Sequence, residues 1–295
     1  MTTRRLEGRP VADAVLDEAR ATVERARGER GRGPVLASVH RGGDSPFQVY
    51  LRQQIRTGER AGVTVRPEPL PPGADAAALR RTLEALDADP ATDAVLVEHP
   101  LPPALEFERA VAALRPWKDV DGVGATNLGR LVAGTPIQVP AVAQAALAIV
   151  DHYAVPVSGQ RVAVIGRSPT VGLPLALLLL ARGRDATVTV AHSRSADLAA
   201  ALAGHTVLFS CAGHPGLLGR RTVPEGATVI DVGLSRVADP AAPGGGRMAG
   251  DAAADLDGWA GALTPVPGGV GPVTVAVIIR NAVRAWVEAG RGDRA

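Results

Sequence analysis

Apolar residues along this chain occur in two kinds of segment, and the two kinds alternate. Segments rich in Ala, Leu, Arg and Glu carry apolar residues at helical spacing, and short runs of Val and Ile lie between them. Repeated strand and helix segments of this kind are typical of β/α units around a parallel sheet. The sequence therefore predicts an α/β fold.

The first half of the chain is predicted to contain three helices and two strands: helices over residues 11–27, 48–61 and 76–86, and strands over 35–40 and 94–97. Gly28 and Gly62 follow the first two helices, where glycine is a common stop signal. The second strand enters a proline-rich turn. This half is predicted to be an α/β unit.

The second half follows the order of a doubly wound dinucleotide-binding sheet. Its predicted elements are strands over 161–165, 187–191, 207–210 and 229–232, helices over 144–153, 196–203 and 273–289, and one helix after Pro174. Residues 238–246 are rich in Pro, Gly and Ala, so they are predicted to form a surface loop. The predicted domains are residues 1–142, completed by the C-terminal helix over 273–295, and a Rossmann-like domain over 143–272.

Composition argues against several classes of partner. The net charge is only +2 over 295 residues, the arginines are interspersed with acidic residues, and aromatic residues make up 3%. A nucleic-acid-binding stripe and a base-stacking platform are therefore not expected. The N-terminal residues lack the apolar run of a signal peptide, and the apolar run over 173–181 is too short to cross a membrane. A cytoplasmic protein without membrane or nucleic-acid partners is expected.

Two scarce residue types limit the chemistry further. Lys118 is the one lysine, so a Schiff base would have to use it, and no Walker-type phosphate loop is present. Cys211 is the one cysteine, which excludes an intramolecular disulfide, and no Cys/His cluster has zinc spacing. No metal is predicted.

A dinucleotide-binding signal follows the strand over 161–165. Gly166, Arg167 and Ser168 form the predicted turn, and Gly172 stands near the start of the next helix. Such a turn directs free backbone N–H groups and the positive end of the helix dipole at a phosphate. Ser168 stands where the usual motif has its second glycine, so an ordinary βα turn is the alternative.

The next predicted strand ends in a segment that bears on the choice of cofactor. His192, Ser193 and Arg194 stand where an acidic residue would favour the ribose hydroxyl of NAD. Hydroxyl and guanidinium groups instead suit a 2′-phosphate. NADP is therefore predicted, and NAD is the less favoured cofactor.

Two further motifs are more specific than this turn. Residues 118–122 read Lys-Asp-Val-Asp-Gly, and residues 265–272 read Pro-Val-Pro-Gly-Gly-Val-Gly-Pro, which predicts a tight, preformed loop. An Asx turn or helix cap is the alternative for the first motif, and a domain linker for the second.

Together these motifs resemble those of the bifunctional methylenetetrahydrofolate dehydrogenase/cyclohydrolase family. The similarity runs nearly end to end, through residues 43–46, Tyr50, 95–102, 118–122, Asn127, Gly129, Leu131, 166–174, 191–194, 230–233, 250–251 and 264–274. The resemblance implies a folate-binding catalytic domain, an NADP-binding domain and a C-terminal helix returning to the first. It also implies folate in the cleft between the domains and a homodimer.

The resemblance also implies roles for individual residues. Tyr50 would stack on the pterin and Asp121 would hydrogen-bond its amino-pyrimidine edge, although Tyr50 could simply pack in its helix. Pro100, Gly271 and Pro272 would line the substrate site. The cofactor would be held by Gly166, Arg167, Ser168, Gly172, Ser193, Arg194 and Gly233.

Two departures from the family pattern fall at its catalytic positions. The family has a lysine four residues after the tyrosine, one helical turn along the same face, and this chain has Gln54 there. The family also has a glutamine where Glu98 stands. Because that glutamine partners the lysine, the two changes are predicted to be coupled; the alternative is relaxed constraint in a degraded paralogue.

Smaller departures lie elsewhere. The loop before Tyr50 is one residue shorter than usual and has Phe47 in place of a serine, and residues 137–140 read Ile-Gln-Val-Pro where the family has Pro-Cys-Thr-Pro. These changes bear on the pocket edge and the domain hinge.

Two functions fit these observations. The first is an NADP-dependent dehydrogenase for 5,10-methylenetetrahydrofolate with weak, lost or altered cyclohydrolase activity. The second is a catalytically silent folate- or nucleotide-binding paralogue with a regulatory or scaffolding role. Tyr50, Asp121 and the phosphate-binding set favour the enzyme. Tyr50, Gln54, Glu98 and Asp121 are its candidate catalytic residues, with Glu98 able to replace the lysine if burial raises its pKa.

Overall fold

The computed structural model describes residues 2–41, 45–99, 101, 103–242 and 245–292. Its strands are β1 (Arg4–Arg5), β2 (Val35–His40), β3 (Thr64–Pro69), β4 (Ala94–Val97), β5 (Arg161–Ile165), β6 (Thr187–Ala191), β7 (Val207–Ser210), β8 (Thr228–Asp231), β9 (Ser235–Ala238), β10 (Gly246–Ala249) and β11 (Ala262–Leu263). Its α-helices are α1 (Gly8–Arg30), α2 (Ser45–Arg60), α3 (Ala76–Ala88), α4 (Phe107–Val111), α5 (Ala125–Val132), α6 (Ala141–His152), α7 (Gly172–Leu180), α8 (Leu198–Leu202) and α9 (Val270–Gly292).

The chain forms two compact units, each around its own sheet. The three-stranded unit comprises Ala12–Ala141 and Val275–Ala295, and the six-stranded unit comprises Met1–Val11 and Val142–Thr274. The C-terminal helix thus returns to the first part of the chain. The first eleven residues lie in the six-stranded unit, whereas the predicted first domain began at residue 1. The reason is β1, which pairs in parallel with β11 at the edge of the larger sheet.

The three-stranded unit has a parallel sheet in the order β3-β2-β4. One face of the sheet packs on α3 and α4 through a core cluster that includes Ala37, Val39, Val95 and Val97. Leu79, Leu83 and Leu86 complete this cluster from α3. Burial of a leucine side chain stabilises a fold by about 1.5–3 kcal/mol. Because side chains alternate along a strand, Leu36 and Ser38 point to the opposite face.

The six-stranded unit has the order β1-β11-β8-β7-β5-β6, with every pair parallel. The strands β5, β7 and β8 are mostly buried and have apolar central residues, as strands covered on both faces do. An antiparallel hairpin, β9 with β10, stands apart from this sheet. The predicted α/β fold class, with a doubly wound parallel sheet and a second α/β unit, is confirmed.

The predicted element boundaries differ most at helix ends. The strands over 35–40, 94–97, 161–165, 187–191 and 207–210 have the predicted bounds. Gly28, in contrast, does not stop α1, which continues to Arg30. The predicted surface loop over 238–246 is mostly the connection between β9 and β10. Short or proline-containing elements were not predicted: β1, β3, β9, β10, β11, α4 and α5.

Within the described residues, α9 contains one segment long and apolar enough to cross a membrane, Val270–Ala289. However, 72% of that window is buried inside the protein. Its apolar character is therefore that of a core helix.

Candidate active site

Three buried polar side chains meet on the face of the small sheet opposite α3. Ser38 lies in the middle of β2, Gln54 on α2, and Glu98 one residue beyond β4; they are 0%, 0% and 8% exposed. The Gln54 amide donates a hydrogen bond to Glu98 Oε1. Ser38 Oγ lies 3.0 Å from Glu98 Oε1 and 3.2 Å from Gln54 Oε1. The two positions that depart from the family pattern are therefore in direct contact.

Glu98 is a buried carboxyl group. Burial raises its pKa, while the hydrogen bonds from Gln54 and Ser38 lower it, and burial is the larger effect. Among the described residues, no arginine or lysine forms an ion pair with it. The surroundings of Glu98 therefore shift its pKa in the direction that a replacement for the lysine would need.

Tyr50 and Asp121 share the electrostatic environment of Glu98. Burial raises the pKa of Tyr50, and the Glu98 charge raises it further. Burial, followed by the charges of Asp119 and Glu98, raises the pKa of Asp121 to about 7. Three acidic groups therefore lie near one another, which favours protonated forms at pH values where isolated carboxyl groups are ionised.

Asp119, two residues before Asp121, has a different environment. Its carboxylate accepts hydrogen bonds from the backbone N–H groups of Gly122 and Gly124, at 3.0 and 2.8 Å, and from the Asn127 amide at 3.0 Å. This is the Asx-type turn that was one alternative for the motif. Asp119 shapes the loop, which leaves Asp121 as the candidate ligand-binding carboxylate.

Lys118 is also a structural residue. Its ammonium group donates hydrogen bonds to the carbonyl oxygens of Leu86, Asp87 and Asp89, at 3.2, 2.8 and 3.0 Å. These carbonyls lie at the C-terminal end of α3, where a cation is stabilised by the helix dipole. The single lysine is therefore committed to a helix terminus.

The loop over 118–122 is held by amide side chains from other elements. Asn281 on α9 donates a hydrogen bond to the Val120 carbonyl at 2.9 Å. Gln138 donates to the Trp117 carbonyl at 3.0 Å and to the Asn281 carbonyl at 3.3 Å. Gln138 belongs to the segment that departs from the family pattern, and the structure shows that it stabilises this loop.

The predicted phosphate-binding turn lies between β5 and α7. Gly166 has a φ of +121°, and a Cβ there would lie 2.6 Å from the Cys211 carbonyl oxygen. A Cβ on Gly172 would lie 2.3 Å from the Gly166 carbonyl oxygen. Both positions therefore require glycine. Ser168 Oγ accepts hydrogen bonds from the Val171 and Gly172 N–H groups, at 3.1 and 3.4 Å, so it holds the start of α7 and keeps its own hydrogen to donate.

Three of the side chains predicted to bind the cofactor are exposed: Arg167, Ser193 and Arg194. Arg167 lies in the turn after β5, and Ser193 and Arg194 follow β6, the neighbouring strand. Within the described part of the chain, neither guanidinium has an ion-pair or hydrogen-bond partner. Two cations and a hydroxyl at the carboxyl ends of adjacent parallel strands fit a phosphate group.

Gly233 has a structural role as well as its predicted cofactor role. A Cβ there would lie 2.3 Å from the carboxylate of Asp251, and a Cβ on Gly250 would lie 2.1 Å from that of Asp231. Asp251 accepts hydrogen bonds from Ser210 Oγ at 2.7 Å and from the His214 N–H at 2.6 Å. Close packing against buried carboxylates therefore explains this glycine without any ligand.

The proline- and glycine-rich run is a tight loop, not a linker. The Val266–Pro267 peptide bond is cis, and the Gly268 carbonyl accepts a hydrogen bond from the Gly8 N–H at 2.8 Å. Gly271 lies in the first turn of α9, where a Cβ would have no described atom within 4 Å. Packing does not require glycine at this position, so its predicted place at the substrate site stays a prediction. Pro272 follows it, in a helix position that tolerates proline.

Pro100, Gly43 and Asp44 lie outside the described residues, and so does the side chain of Phe47.

Ser38 is a residue of the candidate site that the sequence did not predict. The signal was available, since it is a polar residue in the middle of an otherwise apolar parallel strand.

Comparison with known proteins settles the family. The model described as "Tetrahydrofolate dehydrogenase/cyclohydrolase, catalytic domain" matches residues 6–121, and the corresponding NAD(P)-binding domain matches residues 140–289. The chain belongs to this family. The predicted resemblance is confirmed, and a two-domain enzyme with an NAD(P)-binding domain follows.

Relatives of the family match along almost their whole length. The bifunctional protein FolD of Methanoculleus marisnigri is 38% identical over 281 residues, which are 95% of each chain. That of Roseiflexus castenholzii is 39% identical over 296 residues, which are 99% of this chain and 100% of the relative. This member of the tetrahydrofolate dehydrogenase/cyclohydrolase family therefore spans the same two domains as these relatives.

Solved structures agree with this assignment. The methylenetetrahydrofolate dehydrogenase-cyclohydrolase of Trypanosoma brucei, complexed with NADP cofactor and an inhibitor, matches with a TM-score of 0.91 and 34% identity over 99% of both chains. The bifunctional enzyme of Thermoplasma acidophilum matches with a TM-score of 0.87 and 31% identity, over 98% of this chain and 100% of that one. The fold of this family member is thus that of the bifunctional enzymes.

Proposed function

We propose that this family member oxidises 5,10-methylenetetrahydrofolate to the methenyl form with NADP, and that its cyclohydrolase activity is weak, lost or altered. The observation that carries the proposal is the contact between Gln54 and Glu98 in place of a lysine and its glutamine partner. The change is local: the candidate folate residues Tyr50 and Asp121 and the phosphate-binding turn are all retained.

Hydride transfer does not depend on the changed position. When bound, NADP supplies the hydride acceptor, and Arg167, Ser168 and Ser193 would hold its phosphates. The task of the chain is to align the folate, for which Tyr50 offers a stacking surface and Asp121 a hydrogen-bond acceptor. Alignment of reactants can contribute about 7–11 kcal/mol without any titrating side chain.

Hydrolysis of the methenyl product depends on that position more directly. Water must attack a cationic carbon, and protons must move as the adduct collapses. A positioned acid or base contributes about 10²–10⁴-fold to such a step. Gln54 can orient water but cannot exchange a proton at neutral pH. Glu98 is the ionisable group in contact with Gln54, and burial raises its pKa, so we propose that any residual hydrolysis depends on Glu98.

The same proposal includes a homodimer in the cytoplasm, without a membrane or nucleic-acid partner. The small net charge and the interspersed acidic and basic residues support the last point. A catalytically silent, folate-binding paralogue is the second candidate. The altered catalytic pair favours it, whereas the retained folate and phosphate residues favour the dehydrogenase.

The experiment that separates these candidates measures NADPH formation from methylenetetrahydrofolate by the purified full chain, with NADP and with NAD in parallel. Folate and cofactor binding are measured on the same preparation by calorimetry. We expect reduction of NADP well above background, and a lower rate with NAD. Binding of both ligands without reduction would support the silent paralogue and overturn the proposal.

A further inference from the structure

Ser38 is positioned between the two residues that replace the family's catalytic pair. It is fully buried, and its Oγ is within hydrogen-bonding distance of two acceptors, Glu98 Oε1 at 3.0 Å and Gln54 Oε1 at 3.2 Å. A hydroxyl group has one hydrogen, so it can donate to only one of them at a time. The other acceptor then needs a hydrogen bond from a different donor.

The Gln54 amide limits the hydrogen bonds that these three side chains can form with one another. Its nitrogen donates to Glu98 Oε1, which leaves its own oxygen directed at Ser38. When Glu98 is ionised, Oε1 accepts from both Gln54 and Ser38. When Glu98 carries a proton on Oε1, that proton can be donated to Ser38 Oγ, and the Ser38 hydrogen then turns to Gln54 Oε1.

We propose that Ser38 is a positioning residue for Glu98, and that its hydroxyl hydrogen points to Glu98 when the carboxyl is ionised and to Gln54 when the carboxyl is protonated. In both charge states Glu98 Oε1 then keeps its hydrogen bonds to Gln54 and Ser38 in a buried site. This matters because a buried polar group without a partner costs about 1–3 kcal/mol. The carboxyl can therefore gain and release a proton without losing its orientation.

The inference rests on the proposed role of Glu98, and it explains why a serine stands in an apolar strand. The groups that face Glu98 are Tyr50 from α2 and Asp121 from the loop between α4 and α5. Burial raises the pKa of each, and the Glu98 charge raises it further. Both are acidic, so neither can stabilise the ionised form as a cation would. Stabilisation of that form is left to the Ser38 hydroxyl and the Gln54 amide.

The test is an infrared pH titration of the purified full chain, in which the C=O stretch of protonated Glu98 is identified as the band lost in Glu98→Gln. This readout needs no turnover, so it reports on Ser38 even if the protein has neither activity. Ser38→Ala removes the hydroxyl. Ser38→Thr and Ser38→Val form a matched pair of nearly equal shape, of which only the first keeps it.

We expect the titration midpoint of Glu98 to rise by about one pH unit in Ser38→Ala and Ser38→Val, because a hydrogen bond to a charged group is worth more than one unit of pKa. Ser38→Thr should restore the original midpoint. If Ser38→Ala does not fold, the Thr and Val variants carry the comparison. Equal midpoints in the variants with and without the hydroxyl, or no band lost in Glu98→Gln, would overturn the inference.

Discussion

The side-chain amide of Gln54 donates a hydrogen bond to the carboxylate of Glu98. One residue lies on α2 and the other follows β4, and each departs from the pattern that the family has at its position. Because the two side chains touch, a change at one alters the surroundings of the other. The direct contact between the two side chains therefore supports the prediction, made from the sequence, that the two changes are coupled.

The first prediction tests this coupling. We expect Gln54→Lys alone to restore little hydrolysis, because the new ammonium group would form an ion pair with Glu98. Gln54→Lys combined with Glu98→Gln recreates the family's pair, and should exceed the product of the two single effects by about tenfold or more. The measurement is the loss of methenyltetrahydrofolate absorbance.

Gln53→Lys is the matched control, since Gln53 is the exposed neighbour on the same helix and undergoes the same chemical change. It should leave hydrolysis unaltered. Full recovery of hydrolysis in Gln54→Lys alone would show that the two positions act independently.

The second prediction separates the two aspartates of the loop. The pKa of Asp121 is raised to about 7, so the folded state holds this proton between pH 4 and 7 while the unfolded chain releases it. Stability contributed by this group therefore falls as pH rises through that window. Asp121→Asn should stabilise the fold by at least about 1 kcal/mol at pH 8, and by less at pH 5, while folate binding is lost.

Asp119→Asn is the contrasting variant. It places an NH₂ group against backbone N–H donors, so we expect it to destabilise the fold by about 1–3 kcal/mol at pH 8. Thermal and urea unfolding at the two pH values measure both effects. Destabilisation of similar size in both variants would show that Asp121 is also a structural residue.

The third prediction concerns the cofactor phosphate. Removal of either exposed guanidinium, by Arg167→Ala or Arg194→Ala, should weaken NADP binding by about tenfold or more and NAD binding much less. Calorimetric titration measures the four affinities, and Arg182→Ala, at another exposed arginine of the same unit, is the control. Equal losses for NADP and NAD would mean that these groups do not read the 2′-phosphate.

The fourth prediction compares two glycines. A methyl group on Gly271 meets no described atom, whereas one on Gly233 would collide with Asp251. Gly271→Ala should therefore keep or raise the unfolding temperature but raise KM for the folate, and Gly233→Ala should lower the unfolding temperature. An unchanged KM in Gly271→Ala would place the folate away from this position.

Much of the fold was predictable because its signals are local. The strands β2, β4, β5, β6 and β7 have their predicted bounds, since short apolar runs ended by turn residues define them. The strand β3 was missed because Pro67 and Pro69 argue against a strand; they are tolerated since β3 lies at a sheet edge. The strand β1 was missed because its two residues pair with a segment far along the chain.

The candidate site was only partly predictable, because its contacts join residues that are far apart in the sequence. Motif spacing indicated Gln54 and Glu98, but their contact depends on how α2 packs against β2 and β4. The roles of Lys118 and Asp119 likewise follow from partners that the sequence does not reveal, the end of α3 in one case and the Asn127 amide in the other. A motif indicates where a loop lies, and the hydrogen bonds decide which of its residues remain available for a ligand.

The most direct test of the account follows both chemical steps in one sample. The full chain is supplied with methylenetetrahydrofolate and NADP, and NADPH and methenyltetrahydrofolate are measured together over time. The account predicts that methenyltetrahydrofolate accumulates in nearly equal amount to NADPH, because Gln54 and Glu98 replace the lysine in hydrolysis and leave hydride transfer intact. NADPH formation without such accumulation, with added methenyltetrahydrofolate hydrolysed as fast as hydride is transferred, would contradict it.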